Sequence, residues 1–477
     1  MYDKINQRID ELKNNLIKST QELIRIKSVK AEEEEGMPFG SGINEALDST
    51  LQIAQSMGLK NKNIDAYAGY IEIGDGEELL GVLCHLDVVP EGSNWTYPPY
   101  GAEIVDNKIY GRGSIDNKGP AMASLYALKA IADSDIKLKK RVRLILGTDE
   151  ESNWQGIDYY LKNEETPDIA FSPDAEFPVI HGEKGILNFK LSKVLSNVDK
   201  NDSLDKSKKT KRIKSIIIEG GNAPNMVPDF CKAIIESNYY DYINEKAYQY
   251  NMNNMSANLE LNQEEEKIVI NSHGVSSHGS LPQEGVNAIS HLMLFLQNLD
   301  LLSGEIDSFL NFYIENFGLE FNGQSLGYEG QGNPSHLLTL NIGQIKINSE
   351  KAEIVIDIRY PLSWEKEKVV GDIKKLIKTY DIKYQELNHK PSLYVEKVDP
   401  LVEKLMKVYQ DYTGDKSEAV IIGGGTYARA IEKAVAFGPT FPGQEELAHQ
   451  KDEYISVDDL ILITKIYAAA IIELAGE

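Results

Sequence analysis

Residues Leu79–Pro90 read LLGVLCHLDVVP. The first part is an unbroken apolar run, the pattern of a strand buried on both faces in the middle of a parallel sheet. It ends in a histidine and an aspartate two residues apart. Strand faces alternate, so His85 and Asp87 can point the same way. That pairing suits a metal-binding imidazole steered by a carboxylate. It suits a strand end with two solvated polar residues equally well, and on this stretch alone the solvated reading is the one favoured.

The neighbouring segments repeat the strand pattern. Asn117–Ser134, NKGPAMASLYALKAIADS, has apolar residues at helical spacing, with Pro120 in the first turn where a missing N–H costs little. RVRLILGTDEES (141–152) and PDIAFSPDAEFP (167–178) read as further strands. Strand–helix–strand repetition predicts a doubly wound, mostly parallel α/β sheet.

After about Gly185 the character changes. ILNFKLSKV alternates like a half-exposed strand, and IKSIIIEG, FCKAIIES, KIVINSHG, LLTLNIGQIKI and KAEIVIDIRY follow with helical runs between them. This predicts an α+β unit with antiparallel pairing. The α/β character returns at SEAVIIGGGTYARAIEKAVAFGP and closes with SVDDLILITKIYAAAIIEL, where Ser456 and Asp459 have the spacing of a capping box. The expected organisation is a catalytic domain of residues 1–185 and 391–477 with an inserted α+β lid domain of 186–390.

A chain of 477 residues suits two or three domains. A net charge of −24 argues against nucleic acid and anionic membrane surfaces as partners. The lysine-rich stretch 197–214 is read as a solvated loop, since no aromatics interleave its charges. No apolar run reaches the roughly 18 residues of a membrane span, and the amphipathic start lacks the apolar core of a signal peptide. Cys84 and Cys231 lie in apolar runs and read as small buried residues. A reducing cytoplasm is the expected location.

Ligands of open α/β sheets bind beyond the carboxyl ends of the strands. There the sequence places His85 and Asp87, then Glu150 and Glu151, then Asp174. Asp116 precedes a helix in GRGSIDNKGP, and His449 lies in the returning segment. A single such residue is usually a solvated loop residue. The set is a mixed N/O group that suits zinc or manganese. A carboxylate can bridge two metals about 3.5–4 Å apart. In the adjacent pair Glu150–Glu151, one side chain can bind metal while the other faces a metal-bound water as general base.

The motifs CHLDVVP, GRGSIDNKGP, GTDEES, FSPDAEFP, HGEKGI, NMVPD, SSHGSLPQEGVNA, DIRYP, GGGTYARA and FPGQEELAHQKDE span almost the whole chain. In these the sequence resembles the co-catalytic di-zinc family of aminoacylases, carnosinases and dipeptidases. Within it, the chain looks like the dipeptidase V branch, the Xaa-His dipeptidase type of Gram-positive bacteria. The resemblance implies a first metal on His85, Asp116 and Asp174 and a second on Asp116, Glu151 and His449, with Asp116 bridging. It implies that Asp87 orients His85, that Glu150 is the general base and that the Asp116–Asn117 peptide is cis. From the lid it implies His278 as oxyanion donor and Asn225 with Arg359 as a grip on the substrate carboxylate. Gly423 and Gly424 would offer backbone N–H groups to that carboxylate. His181, His273, His291, His336 and His389 are read as structural or solvated.

The expected cofactor is a pair of divalent ions, zinc first, with manganese or cobalt as alternatives. The expected activity is hydrolysis of dipeptides with a free N-terminus by a monomer, the enlarged lid standing in for a partner subunit. An N-acyl or N-succinyl amino acid deacylase would use the same site. A non-catalytic, metal-stabilised peptide-binding protein would have lost the base or a ligand, and here all are present.

Overall fold

The structure is a computed structural model that describes residues 2–195, 213–265, 267–328 and 337–476. These fall into two compact units, Met1–Glu183 with Leu393–Glu477, and Lys184–Ser392. Most of the lysine-rich 197–214 stretch and His336 lie outside the described residues.

The first unit is built on a nine-stranded sheet. Its centre is parallel. Strand Leu79–His85 lies between Arg141–Gly147 and Ile169–Ser172, and Ala434–Ala436 continues the parallel order beyond Ile169–Ser172. All seven residues of Leu79–His85 are buried, as its continuous apolar run requires. The outer pairings are antiparallel, apart from Val420–Ile422, which pairs parallel with Ile180–Glu183. On one side the hairpin Lys60–Ile64 and Ala68–Ile73 pairs with Arg141–Gly147; on the other, Ile180–Glu183 pairs with Leu393–Tyr394. The hairpin has no clear signature, because Lys60–Ile64 is mostly exposed.

Alternation along Leu79–His85 separates the two faces of the sheet. Leu80, Val82 and Cys84 join the larger core with the helices Tyr2–Ile24, Lys118–Ala132, Pro400–Thr413 and Val457–Ala475. Leu83 joins a smaller cluster with Ile145, Ile157, Tyr160 and Tyr427. His85, two residues after Leu83, emerges on that second side. Cys84 and Cys231 are buried and unpaired. Ser456 caps Val457–Ala475 by accepting from the Asp459 N–H at 2.9 Å. The reciprocal half of the capping box is absent: the Asp459 carboxylate accepts from Gln444 instead.

The second unit holds one eight-stranded sheet, antiparallel at every pairing, with helices Tyr240–Asn253, Ala288–Asn298, Glu305–Asn316 and Lys366–Ile377. Along Gly185–Val194, Leu187, Phe189 and Leu191 point into its core while Asn188, Lys190 and Ser192 are half-buried. No helix among the described residues is long and apolar enough to cross a membrane.

Candidate metal centre

At the carboxyl end of Leu79–His85 the chain gathers five residues from five segments of the first unit. His85, Asp116 and Asp174 bring three ligand atoms within 4.8 Å of one another, and Asp116, Glu151 and His449 do the same. His85 Nε2 is 2.9 Å from Asp116 Oδ1 and 3.5 Å from Asp174 Oδ1. His449 Nε2 is 2.9 Å from Glu151 Oε1 and 3.2 Å from Asp116 Oδ2. The two oxygens of Asp116 therefore face different imidazoles, the disposition of a carboxylate shared between two cations. His85 is 1% exposed, whereas the His449 side chain is 51% exposed, so solvent reaches the cluster from the His449 side.

Backbone and side-chain hydrogen bonds hold these groups. The Asp116–Asn117 peptide is cis and immediately precedes helix Lys118–Ala132. Asn117 Nδ2 donates to Pro173 O and to Asp174 Oδ1, at 2.6 and 3.1 Å, fixing Asp174. His85 Nδ1 faces the Asp87 backbone carbonyl at 3.0 Å. The Asp87 carboxylate is farther from that ring, at 3.5 Å. Its two oxygens accept the backbone N–H groups of Glu150 and Glu151, each at 3.0 Å. Asp87 thus touches both the imidazole and the glutamate turn. Asp149, also buried, steadies the same turn through Lys30 at 2.6 Å and the Gln155 N–H at 3.0 Å.

The charge balance calls for cations. Burial pushes Asp174 up to about 6 despite the His85 imidazole nearby. Burial, with the Asp116 charge, pushes Glu151 up to about 7. For Asp116, burial is outweighed by hydrogen bonds from His449 and His85, which hold it well below the usual carboxylate range. Burial disfavours charge on both histidines, but the surrounding carboxylates outweigh it, raising His85 well above its ordinary value and His449 to about 11. A group that draws protons onto two imidazoles is one that divalent ions would neutralise, and its N/O donors suit zinc, manganese or cobalt.

Tyr427, with no assigned role in the sequence reading, lies against this centre. Its ring meets the His85 ring edge-on at 6.2 Å between centroids and Trp154 at 5.2 Å. Gly147, paired in register with His85, leaves room for it: a Cβ there would lie 2.3 Å from the Tyr427 ring.

The loop containing Gly423 and Gly424 follows strand Val420–Ile422. It is anchored on buried Glu183, which accepts from Thr426 Oγ1 at 2.8 Å, while Arg429 Nη2 donates to Gly424 O at 2.6 Å. The Gly424 carbonyl is thereby committed to holding the loop.

Asn225, His278 and Arg359 lie in the second unit and cluster there. Met226 and His278 form a β-bridge, and the Gly279 N–H donates to Asn225 O at 2.7 Å. A Cβ on Gly279 would lie 2.8 Å from Asp357 Oδ2. The Arg359 guanidinium is buried and forks onto Asp357 in its own strand, at 2.8–3.1 Å. The sequence reading did not foresee Asp357 as its partner. His278 Nδ1 is 2.6 Å from Ser280 Oγ. Of the remaining histidines, His181 faces Val395 O at 2.8 Å, His291 lies by Tyr250 at 3.2 Å and His389 by Tyr360 at 2.7 Å. His273 sits 3.6 Å from Glu260. All four have structural or surface neighbours.

Acidic and histidine groups converging at the strand ends of an open α/β sheet form a candidate two-cation centre. Comparison with known proteins makes this specific. Residues 81–473 match peptidase family M20/M25/M40. A Bacillus subtilis (strain 168) protein named "Putative dipeptidase YtjP" is 39% identical over 468 residues, covering 97% of this chain and 98% of that one. A "Putative dipeptidase" of Staphylococcus aureus (strain bovine RF122 / ET3-1) is 37% identical over 480 residues, 99% of each chain. The fold is similar to that of human carnosine dipeptidase 1, with a TM-score of 0.60 at 15% identity over 99% of this chain and 98% of that one. It is also similar to the yeast di-peptidase Dug1p, with a TM-score of 0.58 at 12% identity over 99% and 98%. The chain belongs to peptidase family M20/M25/M40.

Proposed function

We propose that the chain is a dipeptidase of the dipeptidase V type, working as a cytoplasmic monomer on short peptides with a free N-terminus. The two-cation chemistry of this reading is carried by the splayed Asp116, whose two oxygens face two separate three-residue groups. The names borne by the relatives at 37–39% identity support the substrate class.

His85, Asp116 and Asp174 would hold one divalent ion and Asp116, Glu151 and His449 the other. When bound, such ions supply Lewis-acid chemistry and make a water acidic near neutral pH. The chain's own residues do the rest. Glu150 takes the proton of the attacking water and returns it to the leaving amine. Its backbone N–H, tied to Asp87, fixes the start of its side chain. Asp174, held by Asn117, and Glu151, held by Asp87, keep the carboxylates of the two groups in register. His278 is assigned to the oxyanion and Asn225 and Arg359 to the substrate carboxylate. Gly423 and Gly424 add backbone donors to that grip. Two buried, unpaired cysteines support a reducing compartment.

The test is a substrate panel on metal-stripped protein with zinc or manganese added back. Ala-Ala and β-Ala-His should be cleaved and N-acetyl and N-succinyl amino acids left intact, with Glu150→Ala inactive. Cleavage of the acylated amino acids alone would make the chain a deacylase with the same site. Turnover of neither, with metal bound, would make it a binding protein.

A further inference from the structure

Arg112 and Glu453 are 341 positions apart and meet inside the first unit, with Arg112 Nη1 2.7 Å from Glu453 Oε2. They are 2% and 0% exposed. A buried ion pair is poor support for stability by itself, because desolvation cancels most of its attraction. What the pair touches is more informative. The Glu453 carboxylate accepts backbone N–H groups from Gly113 at 3.1 Å, Ile115 at 2.9 Å and Asp116 at 3.2 Å. Its own carbonyl accepts from the Gly111 N–H at 2.8 Å. Glu453 therefore wraps the turn that presents Asp116.

Arg112 reaches the other way. It donates to His449 O through Nη2 and to Gln450 O through Nη1, both at 3.2 Å. His449 has φ 64, a left-handed backbone that non-glycine residues adopt seldom and keep only when surroundings enforce it. The guanidinium grips the carbonyl of that residue. The guanidinium lies over the Trp95 ring, 5.3 Å from the ring centroid.

We propose that Arg112 and Glu453 are positioning residues that lock the Asp116 turn to the His449 loop, and so set the geometry of the second cation group. The inference rests on the metal-centre reading above. Glu453 acts on Asp116, which both groups share. Arg112 acts on His449, which belongs to one group only. The two residues therefore have separable effects.

The experiment is a zinc titration of metal-stripped full-length protein by calorimetry, with His449→Ala marking which constant belongs to the second group. Arg112→Lys keeps a positive charge against Glu453 but loses the fork onto two carbonyls. It is expected to weaken the second zinc by about 10–100-fold, the usual effect of groups behind a ligand, and to leave the first unchanged. Glu453→Gln is expected to weaken both. Urea unfolding of the metal-free variants separates this from a general loss of stability. Wild-type zinc constants in both variants would overturn the proposal, even if their metal-free forms unfold more easily, because the pair would then be structural only. Fewer than two zinc ions on the wild type would overturn the metal-centre reading itself.

Discussion

Glu150 and Glu151 are adjacent, and their backbone N–H groups share one acceptor, the Asp87 carboxylate. Their side chains part company. Glu151 faces His449 at 2.9 Å, inside one of the cation groups, and Glu150 belongs to neither. A general base is expected to leave metal and fold alone when neutralised. Glu150→Gln should lower kcat by about 10²–10⁴-fold with two ions still bound and the urea midpoint unchanged. Loss of an ion in that variant, read by metal analysis, would make Glu150 a ligand instead. The strand-end positions of His85, Glu151 and Asp174 were legible because each follows an apolar run. The supports behind them were not. Asp87 looked like a partner of His85 alone, since nothing in CHLDVVP discloses that its carboxylate spans 63 and 64 residues to the Glu150 and Glu151 amides.

At the scale of elements, local pattern was a good guide wherever burial was strong. The fully buried strand Leu79–His85 and the alternating Gly185–Val194 both show in their apolar spacing. Lys60–Ile64, exposed at an antiparallel edge, offers no such spacing. The helix Val457–Ala475 packs on the core below the centre and starts at a true N-cap, but with half of its capping box. Ser456→Ala should therefore cost about 1 kcal/mol, measured by urea unfolding, with kcat unchanged. A large fall in kcat would mean that this helix start also positions the centre, since Ser456 lies three residues beyond Glu453.

For the whole molecule, the centre couples metal to protons. In the metal-free protein, burial opposes charge on both imidazoles, but the carboxylates around them prevail; His449 is held at about 11 and His85 well above its ordinary value. Both therefore hold their protons to higher pH than a free imidazole does. Ligation requires neutral imidazoles, so binding expels protons and affinity rises with pH. Burial pushes Glu151 up to about 7 and Asp174 up to about 6, so each takes a further proton as pH falls through its range, and affinity falls more steeply there. Calorimetry in buffers of different ionisation enthalpy should show proton release on zinc binding. An affinity independent of pH across these values would contradict the charge balance. The same scale explains what sequence could not disclose. The sequence offers the candidate ligands in order along the chain, while Arg112 and Glu453 meet only through folding.

The most direct test is to return zinc stepwise to metal-stripped protein and follow Ala-Ala hydrolysis against equivalents bound. With Asp116 shared by two groups and the reaction needing both, activity should appear chiefly with the second equivalent and plateau there. Full activity at one equivalent, or activity in the stripped protein, would contradict the account.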